Sequence, residues 1–299
     1  MSEVEVFMAQ RTLLFGLAYR MLGSVMDAED IVQEAFLRWR QVASATVETP
    51  RSYLSTVVTR LCIDHLRSAR VRREQYVGPW LPEPLVGAQQ EGSAGDDALA
   101  ESLSLAFLVL LESLTPVERA VFLLHEVFGY SFEETAAVVG KSAANCRQIA
   151  RRARRRVDER RPRFDASPTH QERVLSRFVQ ACTTGDMAGL LALLADDAML
   201  WSDGGGKVVA ARRPIRGATN VARFLLGVLT KAPPDLTARL APVNGQPGFI
   251  VEVNGHLTNV TVLDLADGRI QAVRIVANPD KLQRLPGPAS GVAPLSLAP

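Results

Sequence analysis

Four side chains near the start of one helical stretch, Asn145, Arg147, Gln148 and Arg151, are of the kinds that read base edges. Arginine pairs bidentately with guanine, and asparagine or glutamine with adenine, so such a set suits a DNA major groove. Arg152, Arg154, Arg155 and Arg156 follow as phosphate-binding cations. Between Arg147 and Arg163 nine arginines face only Asp158 and Glu159, a net of plus seven. The plainer alternative is an αα-hairpin with a solvated basic tail, but so much charge over so short a span favours a phosphate surface.

The elements that must position these residues are legible around them. Ser131 with Glu134 three residues on forms a capping box for a short helix. Ala136, Ala137 and Val139 give that helix a small apolar face, Gly140 ends it in a left-handed conformation, and Ser142 caps the next. Ser131–Arg156 therefore reads as a helix-turn-helix whose second helix carries Ser142, Asn145, Arg147, Gln148, Arg151 and Arg155 toward DNA.

A second cationic stretch lies earlier. Residues 51–73 form a long helix in which Tyr53, Leu54, Val57, Val58, Leu61 and Leu66 make the core side. Its outward residues include Arg60, Asp64, His65, Arg67, Ser68 and Arg70, with Arg72 and Arg73 beyond. The arginines suit phosphates; Asp64, His65 and Ser68 are polar enough to meet bases. Taken alone, His65 also fits a solvated helix histidine. Upstream, helices are expected over 4–21 and 27–40, the second packing through Ile31, Ala35, Phe36 and Leu37. Asp27, Asp30, Gln33 and Glu34 sit in its first two turns, where they complement the helix dipole or offer acceptors to a basic partner.

Whole-chain properties narrow the classes. At 299 residues the chain has room for two or three domains. Net charge is only +2, so a nucleic-acid surface must be local. Cys62, Cys146 and Cys182 show no metal spacing and no disulfide framework, which suits a reducing cytoplasm; no cofactor or metal is expected. The apolar run Leu105–Leu111 is too short to span a bilayer, and MSEVEVF lacks a signal-peptide n-region. Neither a membrane association nor secretion is expected.

Composition changes at Tyr76. Residues 76–97 read as a linker with an ordered island around Trp80, since a bare linker has little use for tryptophan. Helical pattern resumes over 98–113, and Thr115, Pro116 and Glu118 start another helix running to about Phe128. Pro162 is expected to end the basic helix. After His170 the class changes: helices over 171–183, 187–195 and 219–230, and strands at 199–202, 236–243, 248–253, 256–265 and 270–276, with 207–211 following the turn Asp203–Gly206. Asn254-Gly255 and Asp267-Gly268 are hairpin turns. The result is an α+β domain with a curved antiparallel sheet, followed by a Pro-, Gly- and Ala-rich tail expected to be disordered.

Residues 1 to about 163 resemble a two-domain sigma factor of the extracytoplasmic-function (ECF) group, the promoter-reading subunit of bacterial RNA polymerase. DAEDIVQEAFLRWR is similar to that family's polymerase-docking segment, TRLCIDHLRSARVRR to its −10 reading helix, and Ser131–Arg156 to its −35 reading helix-turn-helix. Residues 170–285 resemble a SnoaL-like domain of the NTF2-like fold, a cone around a pocket. WLPEP, DGGGK and NPDKL are similar to signatures of the sigma subgroup carrying this extension. The resemblance implies a multidomain protein: region 2 over 1–75, a linker over 76–97, region 4 over 98–163, a SnoaL-like domain over 170–285 and a tail over 286–299. It implies core RNA polymerase and promoter DNA as partners.

The resemblance places a pocket for an extruded promoter base in the loop 42–50, which lacks aromatics, so no stacking residue is assigned and Trp39 is expected in the core. Three readings of the C-terminal domain remain open. It can be an enzyme, with Trp201, Asp203, His256, Asp264 and Asn278 as candidate groups; a small-ligand sensor; or a regulator acting through contacts of its own. In the last, Trp80, Pro82 and Glu83 would meet Asp203, Lys207, Asn278, Asp280 and Lys281, replacing a separate anti-sigma factor. A stand-alone helix-turn-helix regulator is the remaining alternative for the chain as a whole, though it has no use for the acidic helix.

Overall fold

The computed structural model of the protein describes residues 2–42, 47–74, 76–86, 102–159, 168–285 and 295–296. The chain forms two units: Met1–Gln75 with Glu91–Leu103 and Phe107–Arg161, and Tyr76–Gln90 with Ser104–Ala106 and Pro162–Pro299.

The first unit is helical. Helices α1 (Glu3–Leu22), α2 (Val25–Trp39) and α3 (Pro50–Glu74) pack on one another. Ser2 and Glu5 form a capping box at the start of α1, and Gly23 closes it at φ 68°. Leu14, Leu17, Met21, Ala35, Trp39, Leu54 and Val58 are buried at the centre. Trp39 is fully buried and donates from Nε1 to the Glu3 carbonyl at 2.9 Å, which confirms it as core. Leu37 is instead 47 % exposed, because α2 buries the stripe Ala28–Ile31–Ala35 and Leu37 lies off it.

Helix α4 (Leu105–Leu111) is shorter than the stretch expected from residue 98; 98–101 lie outside the described residues. Helix α5 (Pro116–Phe122) starts at the anticipated Thr115–Glu118 box, but yields at Leu123–Val127 to a wider π turn. Helices α6 (Phe132–Val139) and α7 (Ala143–Asp158) follow, with Gly140 at φ 67° between them. α6 buries Thr135, Ala136 and Val138; Ala137 is exposed, so the apolar face is rotated from the one expected. α7 seats Cys146, Ile149, Ala150, Ala153 and Val157 inward, spaced three and four apart. It ends at Asp158 with Glu159 as cap; Pro162, expected to end it, lies outside the described residues.

The second unit is a curved sheet with helices on one face. Its elements are α8 (Pro168–Thr183), α9 (Met187–Leu193), β1 (Leu194–Asp203), β2 (Ile215–Arg216), α10 (Ala218–Leu229), β3 (Leu236–Val243), β4 (Gln246–Val253), β5 (His256–Ala266), β6 (Arg269–Val276) and α11 (Pro279–Leu282). A short β7 (Leu295–Ser296) pairs with β3 inside the tail expected to be disordered. The strand order is β2-β1-β6-β5-β4-β3-β7, antiparallel except for the parallel pair β1–β6. Residues 207–211 form no strand. The glycines before them turn the chain away from the sheet: Gly205 and Gly206 take φ 61° and 73°.

Three hairpin turns, Asn244-Gly245, Asn254-Gly255 and Asp267-Gly268, have positive φ at both residues, as a two-residue turn matched to strand twist requires. Register shifts within β4–β5 and β5–β6 bend the sheet. Phe178, Leu190, Leu225, Phe249, Val251, Leu263 and Val273 form the core between α8–α10 and the concave face. This is the α+β architecture of a SnoaL/NTF2-like cone.

Candidate nucleic-acid interface and the Asp203 clamp

On α7 the residues expected to read bases lie on the solvent-facing side of the helix. Ser142 caps the helix, its hydroxyl accepting from the Asn145 N–H at 3.2 Å. Asn145, Arg147, Gln148, Arg151 and Arg155 are all exposed. Arg147 lies over the Phe132 ring at 5.4 Å and donates to Glu133 at 2.9 Å. Arg155 donates to Glu159 at 2.9 Å. Both ion pairs are on the surface, where such contacts are worth at most about 1 kcal/mol and yield to a phosphate. Arg154 is held by Glu126, and Arg156 by Glu118 at 3.2 Å.

On α3 the candidates divide. Asp64 and Arg67 pair with each other at 3.4 Å and are exposed. Ser68 turns its hydroxyl to the His65 carbonyl. The side chain of Arg70 lies outside the described residues, as do those of Arg72 and Arg73. Arg60 donates to the carbonyls of Val138 and Ala137 at 3.2 and 3.4 Å, at the C-terminal end of α6. A guanidinium there meets the helix's unpaired carbonyls and the negative end of its dipole. Nearby the Ser55 and Tyr130 hydroxyls share a hydrogen bond at 2.7 Å. A role for Arg60 at the C-terminus of another helix was not legible in the periodicity of α3.

In the acidic helix α2, Asp30 and Gln33 are exposed and Glu34 pairs with Arg38 at 2.9 Å. Asp27 approaches His65 Nε2 at 3.5 Å, joining one residue of the expected docking set to one of the expected base-reading set.

The second unit holds a different kind of site. Asp203, at the end of β1, is fully buried. Its Oδ1 accepts from the Tyr76 hydroxyl at 2.5 Å and the Gly205 N–H at 3.0 Å. Its Oδ2 accepts from the Leu81 N–H at 2.8 Å and Lys281 Nζ at 2.7 Å. Two donors reach each oxygen, which satisfies a buried carboxylate. Lys281 also donates to the Leu81 carbonyl and lies over the Trp80 ring at 4.3 Å and the Tyr76 ring at 5.2 Å. Asn278 caps α11 through Oδ1 and donates from Nδ2 to the Tyr76 hydroxyl at 2.9 Å. Burial and the neighbouring Asp203 push the Tyr76 phenol well above its ordinary value, so it remains a donor.

Gly205 is fixed by this packing: a Cβ there would lie 2.4 Å from the Asn278 side chain. Lys207 pairs with Asp280 at 2.7 Å on the exposed rim. Pro82 and Glu83 are buried. Downstream, Asn244 accepts from the Leu85 N–H at 2.9 Å and returns its own N–H to the Leu85 carbonyl at 2.8 Å. Val86 bridges to Val243. Residues 76–86 are thus bound along their length to the sheet domain. Tyr76 and the Leu81 backbone were missed by sequence reasoning; a lone tyrosine four residues before Trp80 was the available signal.

Four of the catalytic candidates pair off, Asp203 with Asn278 at the Tyr76 hydroxyl and Asp264 with Trp201 around Arg274. Asp203 is saturated with donors, and Asp264 pairs with Arg274 at 2.7 Å, while Arg274 lies over Trp201 at 4.6 Å. Burial raises the Asp264 carboxyl, against the opposing pull of Arg274. His256 is exposed at the start of β5. Among the described residues no group of His, Cys, Asp and Glu could hold a metal ion, and no helix is long and apolar enough to cross a membrane.

Comparison with known proteins matches residues 6–72 to sigma-70 region 2 and residues 104–157 to sigma-70 region 4. The chain is 40% identical over 296 residues to the ECF RNA polymerase sigma factor SigJ of Mycobacterium tuberculosis, covering 95% of this chain and 94% of that protein. The chain belongs to the ECF RNA polymerase sigma factor family. A probable ECF sigma factor of the same organism, SigI, is 35% identical over 279 residues, covering 93% of each chain. The crystal structure of Mycobacterium tuberculosis SigJ superposes with a TM-score of 0.75 at 37% identity, covering 95% of this chain and all of that one.

The chain is therefore a promoter-recognising sigma factor whose two sigma regions are followed by a SnoaL/NTF2-like domain. Region 2 falls on α1–α3 and region 4 on α4–α7. Its partners as a sigma factor are core RNA polymerase and promoter DNA.

Proposed function

We propose that this sigma factor carries its regulator within the chain. The C-terminal domain acts by binding rather than turnover, holding the connection between regions 2 and 4. The observation that carries this reading is the donation of the Leu81 N–H and Lys281 to one buried carboxylate, Asp203. Residues 76–101 could reach at most about 90 Å fully extended; with 76–86 bound to the sheet, 87–101 add at most about 50 Å to the fixed span of 76–86. The clamp thus limits how far apart the two DNA-reading modules can be drawn, and does so at the high effective concentration of a tethered site. The donor-saturated Asp203 supports a non-catalytic role.

For promoter reading we assign Asn145, Arg147, Gln148 and Arg151 to base edges in the −35 element, with Ser142 and Arg155 on the backbone. Asp64, His65, Arg67, Ser68 and Arg70 serve the −10 element. Arg60 serves it only once it leaves the α6 carbonyls. Asp27, Asp30, Gln33 and Glu34 face core polymerase. Run-off transcription with purified core polymerase tests the regulatory part: ending the chain after Asn278 removes Lys281 and should change promoter output while core binding persists. Equal output from the shortened and full chains, at equal core binding, would remove the built-in regulator and leave the sigma function intact.

A further inference from the structure

The cone holds a half-open cavity of about 620 Å³ that the clamp does not use. Its wall is mostly apolar, formed by residues such as Phe178, Phe224, Leu225, Phe249, Val251 and Ile275. At ~30 Å³ per water the space would hold about 20 waters against surfaces that give them few partners. A cavity of this size and character falls in the range that small-molecule sites occupy.

Its polar features are few and specific. Asn259 and Thr261 lie side by side on β5, and the Thr261 hydroxyl donates to Asn259 Oδ1 at 3.1 Å. That contact fixes the amide so that its oxygen is used and its Nδ2 is left to donate. Lys231, exposed, is the cationic residue of the lining. None of Trp201, Asp203, His256, Asp264 or Asn278 lines the cavity. Cys182 does, but burial pushes its thiol up to about 12, which keeps it protonated and a poor nucleophile. The wall supplies shape, one oriented amide donor and one cation, with no carboxylate or imidazole for acid–base work.

One part of the wall belongs to the clamp region as well. Val209 and Ala210 line the cavity, and the same loop, with Val77 and Gly78, lines a smaller cavity of about 370 Å³. A Cβ at Gly206 would come within 3.1 Å of Val77, which shows how closely the loop and residues 77–78 approach.

We infer that the larger cavity binds, without turning over, a predominantly apolar small molecule that carries one hydrogen-bond acceptor, and that loop 204–212 transmits its presence to residues 77–78. The acceptor meets Asn259 or Lys231 while the apolar body fills the cone. The transmission rests on the built-in-regulator reading; the binding site does not.

The test uses the full-length protein and three probes of one chain length: dodecanoate, dodecan-2-one and dodecylamine. Titration calorimetry should show one saturable site for the first two, with the amine at least about tenfold weaker because its cation meets Lys231. Asn259→Leu should weaken both acceptor probes by about tenfold, and Lys231→Ala should weaken dodecanoate alone. Val251→Trp fills the cavity and should abolish binding. Gly227→Trp sets an indole at the lining where a Cβ meets nothing within 4 Å, and decides the matter if the first variant fails to fold. Absence of saturable binding overturns the site, as does binding that survives both tryptophan variants. A dimer in sedimentation with no probe binding would assign the cavity to a second copy instead. Hydrogen exchange reads the transmission: the amides of residues 77–81 should exchange at a different rate with dodecanoate bound, and unchanged exchange at saturation overturns that part alone.

Discussion

Helix α7 and the end of β1 use the same chemistry, basic groups beside carboxylates, to opposite ends. On α7 Arg147 and Arg155 are exposed and their partners, Glu133 and Glu159, sit in water, so each of these two pairs contributes little and exchanges easily for a phosphate. At Asp203 the carboxylate is buried and Lys281 is 8 % exposed, with every acceptor position filled from within the domain. Charge left at the surface is available to a partner; charge enclosed and saturated holds the chain's own segments together. The comparison also explains why one region is recognisable from its charge density while the other shows only as three short peptides.

The largest effect expected is at the enclosed pair. Lys281→Ala leaves Asp203 buried without its counter-charge, a change that costs about 3–5 kcal/mol, measurable as a lowered denaturant midpoint of the second unit. A loss below about 1 kcal/mol would place the pair with the surface bridges. Gly205→Ala comes next. It combines φ 61° with a Cβ 2.4 Å from Asn278, and should cost roughly 2 kcal/mol or more. Gly140, with similar φ and open space around its Cβ, gives the sharpening control: its alanine variant should lose only the conformational part.

On the exposed side, effects belong to DNA binding rather than stability. Arg151→Ala should lose about 1–3 kcal/mol of discrimination at one base pair of the −35 element, whereas Arg155→Ala should weaken matched and mismatched promoters alike. Equal losses in both variants on both promoters would cancel the division into readers and phosphate contacts. The smallest effect concerns a helix cap. The Ser131 backbone N–H and hydroxyl hold the Glu134 carboxyl below its ordinary 4.5. A lowered folded value means that this contribution is present above pH about 4.5 and lost as pH falls through the folded value. Thermal unfolding should therefore separate wild type from Glu134→Gln near pH 6, and the gap should close on acidification.

Much of the helical unit was legible because its signals are local. Ser131–Glu134, Thr115–Glu118, Gly140 and Ser142 act within a turn of themselves, and each performs the role its type implies. Errors arose where tertiary packing decided. Val138 rather than Ala137 is buried, and Arg60 spends its donors on carbonyls 77 and 78 residues away in sequence. In the sheet domain the hairpin turns at residues 254 and 267 were plain. The Asn244-Gly245 turn was passed over, although its side chain also holds Leu85. The parallel pairing of β1 with β6 has no local signature, since 66 residues separate Asp203 from Arg269. The clamp was half legible: WLPEP, DGGGK and NPDKL stood out, but the Tyr76 hydroxyl and a backbone N–H from Leu81 carry no motif.

The direct test of the clamp as a regulator is run-off transcription by core polymerase with full-length wild-type or Lys281→Ala protein. The templates carry −35 to −10 spacers altered by about two base pairs, a change of roughly 7 Å. With the clamp released, the variant should bind core polymerase as wild type does and tolerate altered spacers that wild type rejects. Identical spacer preference in the two proteins, with Lys281→Ala shown by hydrogen exchange to have freed residues 76–86, would contradict it.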